Sequence, residues 1–203
     1  MPYLKLESIL LLWRCIQVVV LELDDSYKYV EKRLGDLKSK TPKVIAKSIN
    51  ETAAWARREI AQEAQKTYTI KSGGFNKSMT IKKANYSNLE GIIESKGKPI
   101  ELIKYRYSKG KKTTKARVLQ SSGLKSLEKN GIKAFVTKFA NGHASIAQRR
   151  GKERLPIKIL FSNSIPMMIG NEKRVYGIVE PEINDYLRKK LDYHISKVLG
   201  GYE

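Results

Sequence analysis

Apolar residues recur every three or four positions across residues 41–68, the longest stretch of this kind in the chain. This spacing predicts one helix with a single apolar face. Thr41 is expected at the N-cap and Pro42 in the first turn, and the rest of the stretch is rich in alanine and free of Gly and Pro. At a rise of about 1.5 Å per residue the helix would be roughly 40 Å long, enough to support a whole domain. The positions assigned to the apolar face are Val44, Ile45, Ile49, Thr52, Ala53, Ala56, Ile60 and Ala64.

The same period predicts two more helices, one before the long helix and one near the C-terminal end of the chain. The first spans about residues 27–37, with Asp24 or Asp25 as its cap, and forms an antiparallel pair with the long helix. The last runs from about Glu180 to Leu199 and is stopped by the two glycines that follow. Its apolar positions are Ile183, Leu187, Leu191, Ile195 and Val198.

Between the helices the pattern changes to short runs of β-favouring residues. These predict strands at residues 79–84, 89–95, 100–105, 134–140, 144–148 and 157–161. Asn141-Gly142 separates two of them and predicts a hairpin with a type I′ turn. The predicted fold class is therefore α+β: two N-terminal helices including one long helix, a mainly antiparallel sheet with a long basic loop, and a C-terminal helix. Residues 21–200 are expected to form a single domain, and residues 1–20 an N-terminal arm or extension.

The net charge of the chain is +20, with 40 Lys and Arg against 20 Asp and Glu. Such a charge favours nucleic acid, an anionic surface or an acidic protein as partner, without choosing among them. The charge is regional, because residues 100–154 hold 15 Lys and Arg but only three Glu. Its main segment, the basic loop, comprises Lys104, Arg106, Lys109, Lys111, Lys112, Lys115 and Arg117. A second basic patch comprises Arg149, Arg150, Lys152 and Arg154.

The basic loop has two interpretations. Tyr105 and Tyr107 alternate with its cations, as in a groove that binds phosphates and stacks bases. Alternatively, the segment is the tip of a β-hairpin kept soluble by lysine.

The apolar N-terminal stretch, residues 6–23, does not predict a membrane span. Arg14 and Gln17 interrupt it, and its apolar pieces are shorter than the ~20 residues that a spanning helix needs. Cys15, the one cysteine, excludes an intramolecular disulfide and is expected to be a buried, inert thiol.

No pattern of residues points to catalysis, a cofactor or a metal. The chain has no Gly-x-Ser-x-Gly elbow, no Walker loop and no His-Glu-x-x-His helix. The two histidines, His143 and His194, lie far apart in sequence, and we expect the first to be solvated or locally bonded and the second to pack at the edge of the core.

Several short segments occur in an order that resembles the prophage minor tail protein Z family, the tail-completion proteins of lambda-like phages. The long helix contains Ala-Lys-Ser-Ile-Asn-Glu-Thr-Ala-Ala at residues 46–54 and is followed by Lys-Thr-Tyr-Thr-Ile-Lys at residues 66–71. Later come Ala134-Phe135 with its hairpin, Gln-Arg-Arg at residues 148–150, Arg-Leu-Pro-Ile at residues 154–157, and Ser-Ile-Pro-Met-Met at residues 164–168 before the last helix. Two departures are the Ser162-Asn163 pair in place of Gly-Pro and the first twenty residues, which have no counterpart.

The resemblance implies a structural protein without a catalytic site, located in a virion or phage-tail-like particle assembled in the host bacterial cytoplasm. It implies a homo-oligomeric ring, with a hexamer as one stoichiometry, that completes the head-proximal end of the tail. Its partners would be the tail terminator, tube or connector, with non-specific contact to DNA in the channel and none to a membrane. The alternative from the residues alone is a free, basic nucleic-acid-binding protein.

Overall fold

A computed structural model describes residues 16–21, 26–71, 74–110 and 113–201 of the chain. The helices are α1 (Ser26–Leu34), α2 (Thr41–Thr67), α3 (Ile165–Ile169) and α4 (Tyr176–Leu199). The strands are β1 (Ile16–Leu21), β2 (Met79–Lys82), β3 (Gly91–Lys96), β4 (Ile100–Glu101), β5 (Arg106–Lys109), β6 (Thr114–Arg117), β7 (Lys125–Ser126), β8 (Glu128–Lys129), β9 (Ile132–Lys138), β10 (Ala144–Arg149), β11 (Ile157–Ile159) and β12 (Phe161–Ser162). Short 3-10 helices cover Gly35–Lys40, Asn76–Ser78 and Leu102–Lys104. The α+β fold class, with one long helix near the N-terminus, is confirmed.

The long helix α2 matches the predicted span, and its predicted apolar face is buried. The predicted cap is wrong. Thr41 already has helical dihedrals, with φ −51° and ψ −50°, because the 3-10 helix Gly35–Lys40 leads directly into α2. Within the described part of the chain the buried Thr41 hydroxyl has no hydrogen-bond partner, so it caps nothing.

The C-terminal helix α4 packs antiparallel along α2. Trp55 stacks on Tyr186 with ring centroids 4.5 Å apart, and the Thr67 hydroxyl donates to the Arg174 carbonyl at the other end of the pair. The helix begins at Tyr176, earlier than the predicted Glu180, and continues through Pro181. Proline removes one backbone hydrogen bond there, but Tyr176 and its neighbours on the same face are buried, and this burial keeps the first turns helical.

A small sheet in the order β1-β3-β2 packs against α2. Strand β1 pairs antiparallel with β3 over Ile16–Leu21, across position 20, where the sequence places the limit between arm and domain. The division into residues 1–20 and 21–200 stays a prediction. Cys15 lies outside the described residues.

The remaining strands form one continuous series, in which some neighbours are joined by hydrogen bonds and others directly by the chain. Strands β5, β6 and β7 pair in that order, and β8, β9, β10 and β11 pair in turn. Leu127 joins the two sets, because its N–H donates to the Thr114 carbonyl and its carbonyl accepts from the Ala134 N–H. Strand β12 continues from β11 and pairs with β4, which leads through the 3-10 helix Leu102–Lys104 into β5. The series therefore closes on itself, with buried residues such as Tyr105 and Ala134 inside.

The two Asn-Gly pairs of the described chain form different turns. Asn141-Gly142 joins β9 and β10 as predicted, but only Gly142 has positive φ, so the predicted type I′ turn is wrong. Instead the Gly142 N–H donates to the Phe139 carbonyl and the Asn141 side chain accepts from the His143 N–H. Asn130-Gly131, between β8 and β9, has positive φ at both residues and is the turn of type I′ character.

The segment before α4 forms the short helix α3. Met168 is buried there, whereas Met167 is 41% exposed, so only one of the two methionines fills the core. Ser164 precedes the helix without a side-chain capping bond.

Candidate interaction surface

The basic loop of the sequence is largely a pair of antiparallel strands. Arg106 lies opposite Arg117, and Ser108 lies opposite Lys115. Because successive residues of a strand point to opposite faces, Arg106, Lys115 and Arg117 share one face. Thr114 and Ala116, on the other face, are buried. The hairpin interpretation therefore describes the backbone of this segment.

The second basic patch begins on the same face. Thr114 aligns with Leu127, Leu127 with Ala134, and Ala134 with Gln148 across the strand series, and all four lie on its inner face. Arg149 comes one residue after Gln148 and therefore points outward. Lys133, next to Ala134, also points outward, opposite Glu128. We call the set Arg106, Lys115, Arg117, Lys133 and Arg149 the outer basic face.

Two like charges of the outer basic face are directly opposed. Arg106 and Arg117 are directly opposite each other, an arrangement that destabilises a sheet by up to about 1 kcal/mol. Within the described part of the chain no carboxylate pairs with Arg106 or Lys115. The Arg117 Nε donates to the Leu119 carbonyl at 3.1 Å, and the Arg149 guanidinium lies 6.0 Å from the Phe135 ring centroid. An external anion would offset the repulsion between the two guanidinium groups of Arg106 and Arg117.

Other predicted cations lie apart from this face. Lys104 is exposed in the 3-10 turn, and Lys109 is exposed at the end of β5, on the side of the hairpin opposite to Arg106. Arg150, Lys152 and Arg154 are exposed in the loop after β10. Lys111 and Lys112 lie outside the described residues.

The tyrosines of the segment do not form the expected stacking platform. Tyr105 is fully buried, its hydroxyl donates to the Asn163 carbonyl, and burial raises its pKa to about 12. The Tyr107 ring is half-buried, and the Lys71 ammonium lies 4.3 Å from its centroid. Tyr105 is therefore not accessible for stacking on bases, and the Tyr107 ring already contacts the Lys71 ammonium. Lys71 and Lys133 belong to neither of the two basic patches found in the sequence. Only the strand register shows that Lys133 lies on the outer basic face.

A serine, a histidine and a glutamate meet beside β10. The Ser145 hydroxyl donates to the Glu101 carboxylate at 2.6 Å, and the His143 Nε2 lies 3.0 Å from the same carboxylate. Burial alone would raise the pKa of Glu101, but the bonds from Ser145 and His143 lower it below its ordinary value. Serine catalysis requires the imidazole between hydroxyl and carboxylate, whereas here the carboxylate lies between the other two. The cluster instead joins β4 to β10.

Metal ligands and membrane-spanning helices are both absent from the described residues. No group of three or more His, Cys, Asp or Glu is arranged there to hold a metal ion, and no helix in this part of the chain is long and apolar enough to cross a membrane.

The profile of the prophage minor tail protein Z family matches residues 30–202, most of the chain and nearly all of the described structure. The chain belongs to this family. Members of the prophage minor tail protein Z family are structural components of phage tails, so this chain has a structural role in a phage tail and a virion-associated location. No curated protein and no solved structure shows significant similarity to the chain. The family match begins inside α1 and therefore leaves out β1, which nevertheless pairs with β3.

Proposed function

We propose that this minor tail protein completes the head-proximal end of the tail as a ring of copies, with a hexamer as one stoichiometry. Residues 21–200 act as the assembling domain and residues 1–20 as its arm. The ring contacts the tail terminator, tube or connector, and it is assembled in the host cytoplasm. Its role requires neither catalysis nor a cofactor.

The observation that carries the proposal is the outer basic face. Five cations from four different strands share this face, and Glu128 is the carboxylate of the described strands that lies opposite one of them, Lys133. The net charge of +20 makes copies of the subunit repel one another at long range, so counter-charge from neighbours would further stabilise an ordered assembly. Acidic tail subunits or DNA passing through the channel would supply it.

Electron microscopy of particles from the source cells tests the position in the tail. A small tag placed after Glu203 is labelled with gold, and label at the head-proximal end of each tail is the expected result. Label along the whole tail would indicate a tube component, and label at the distal end would indicate a tip component. Either of these results would refute the completion role, as would particles without label.

The two opposed guanidinium groups favour a second candidate, a free nucleic-acid-binding protein. For such a protein, replacing Arg106, Lys115 and Arg117 by Ala should reduce the slope of log affinity against log salt by about 0.9 for each phosphate that is no longer neutralised. The matched control replaces the exposed residues Lys28, Lys32 and Lys38 by Ala, which removes the same charge elsewhere. Equal slopes for the two triple variants would show that the outer basic face is not a specific DNA contact. Loss of particle incorporation with unchanged DNA binding would assign the face to protein partners.

A further inference from the structure

A groove lies between the first half of α2 and the loop that joins β2 to β3. Its volume is about 550 Å³. The buried alanines Ala46 and Ala84 form its floor, and the exposed Lys47 and Lys83 lie at its rim. A concave apolar floor with a charged rim is the usual form of a docking site for a protein segment.

The groove is held open by hydrogen bonds that fix the loop. The Asn50 side-chain amide donates to the Ala84 carbonyl at 2.9 Å and accepts from the Ala84 N–H at 2.8 Å. The Asn85 side chain accepts from the N–H groups of Ser87 and Asn88 and closes a local turn. Tyr86, between these bonds, is 66% exposed. A tyrosine presented on a rigid loop is a frequent energetic centre of protein interfaces.

The charge of the groove is positive. Glu51 also lines it, but this carboxylate is bound by the Lys190 ammonium at 2.8 Å and lies 3.1 Å from the His194 imidazole. Among the described residues no carboxylate pairs with Lys47 or Lys83. The groove therefore fits an acidic segment that also presents an apolar side chain.

The first turns of α4 present such a segment. Ile178, Glu182 and Asp185 follow each other at spacings of four and three residues, which places them on one face. Ile178 is 50% exposed, and Glu182 and Asp185 are exposed beside it. The acidic face ends at Asp185, because the next turn carries Arg188 and Lys189. On a strongly basic chain, two carboxylates around an exposed isoleucine form a distinct local surface.

The two surfaces cannot meet within one chain. Helix α4 runs antiparallel to α2, with Tyr186 beside Trp55 and Arg174 beside Thr67. The acidic face therefore lies along the second half of α2, whereas the groove lies along the first half. At about 1.5 Å per residue the middle of the acidic face on α4 lies roughly 15 Å along the helix pair from the middle of the groove on α2.

We propose that the groove binds the acidic face of α4 from a second copy of this chain. Ile178 of one copy lies on the alanine floor of the next, and Glu182 and Asp185 pair with Lys47 and Lys83. Because each copy uses two different surfaces, the contact is heterologous and can repeat around a ring. The inference rests on the proposed ring function and assigns the surfaces through which the copies meet.

The test uses charge reversal on the full chain, with sedimentation velocity at low ionic strength, where exposed ion pairs are least screened. A groove variant carries Lys47→Glu and Lys83→Glu, and a helix variant carries Glu182→Lys and Asp185→Lys. All four positions are exposed, so neither variant removes a core contact. The matched controls are Lys98→Glu with Lys138→Glu, and Asp36→Lys with Glu153→Lys, which change the net charge equally at exposed sites elsewhere.

The unmodified chain and both controls should form oligomers, and each reversal variant alone should sediment as a monomer. Mixing the two reversal variants should restore a complex, because the intact groove of one meets the intact acidic face of the other. A monomeric unmodified chain, assembly of either reversal variant alone, or a mixture that stays monomeric would each overturn the inference. Gold label at the tail end together with a monomeric chain would refute these surfaces and leave the proposed function standing. Oligomers by this contact without label on particles would refute the function and leave the contact standing.

Discussion

Strand β3 approaches the long helix closely at Gly91, where an added side chain would have no room. A Cβ added at Gly91 would lie 2.5 Å from the Ile49 Cγ2, whereas carbon atoms in good contact are about 3.5–4.0 Å apart. Ile49 is fully buried in the middle of α2 and is stiff at its branched Cβ, so it cannot turn aside. Gly91→Ala must therefore push β3 and α2 apart by about 1 Å, and overpacking of this kind costs about 1–3 kcal/mol.

A double-mutant cycle tests this reasoning. Ile49→Ala alone leaves a cavity and should lower the free energy of unfolding by about 2–5 kcal/mol. In the double variant the methyl group added at position 91 occupies part of that cavity, so the combined loss of stability should be smaller than the sum by about 1 kcal/mol or more. Urea unfolding followed by circular dichroism, in high salt to keep copies apart, measures all four proteins.

The control is Gly123→Ala, because a Cβ at Gly123 meets no atom within 4 Å. Its free energy of unfolding should stay close to that of the unmodified chain. The close packing of β3 on α2 is refuted if Gly91→Ala is as neutral as Gly123→Ala, or if the effects of the two core substitutions simply add.

Three further predictions concern polar groups. Burial lowers the pKa of His194 below 6.5, so below that pH the unfolded chain binds a proton that the folded chain does not. The free energy of unfolding should therefore fall as the pH is lowered below that value. His194→Gln should flatten this pH dependence in urea titrations, and an unchanged pH profile in the variant would contradict the prediction. Asn50→Ala leaves the Ala84 N–H and carbonyl without their partner and should cost about 1–3 kcal/mol, with faster hydrogen exchange of the Ala84 amide as a local signature that an intact loop would not show. Arg106→Thr relieves the repulsion with Arg117 and should raise the thermal midpoint slightly at low salt, an effect that should vanish at high salt; a loss of stability would mean that Arg106 has an attractive partner.

Several elements were predictable because they depend on short spacings. The apolar face of α2 and that of α4 follow from residues three and four apart, and the hairpin between β9 and β10 follows from two β runs around Asn-Gly. His143 was expected to be solvated or locally bonded, but its imidazole lies 3.0 Å from the carboxylate of Glu101, which is 42 residues away in sequence. That partner could not be named from the sequence, because no local pattern links the two strands.

The errors occurred where neighbouring elements override a local signal. Thr41 has the sequence of a cap, but the preceding 3-10 helix continues into α2 and makes it helical. Pro181 has the sequence of a first-turn residue, but the buried Tyr176 face extends α4 in front of it. In both cases burial of several apolar side chains outweighs the free energy of one cap or one backbone hydrogen bond.

The helices, the strand-rich middle, the basic character of residues 100–154 and the resemblance to minor tail proteins could all be predicted from the chain alone, because each depends on residue type and spacing. Which cations share a surface depends on how the strands pair. Strand register brings Arg106 and Arg149 onto one outer face and leaves Lys109 on the opposite side of its hairpin, because a shift of one residue in pairing reverses the direction of every side chain. The groove likewise exists only because Asn50 of α2 binds the backbone of Ala84, 34 residues later in the chain.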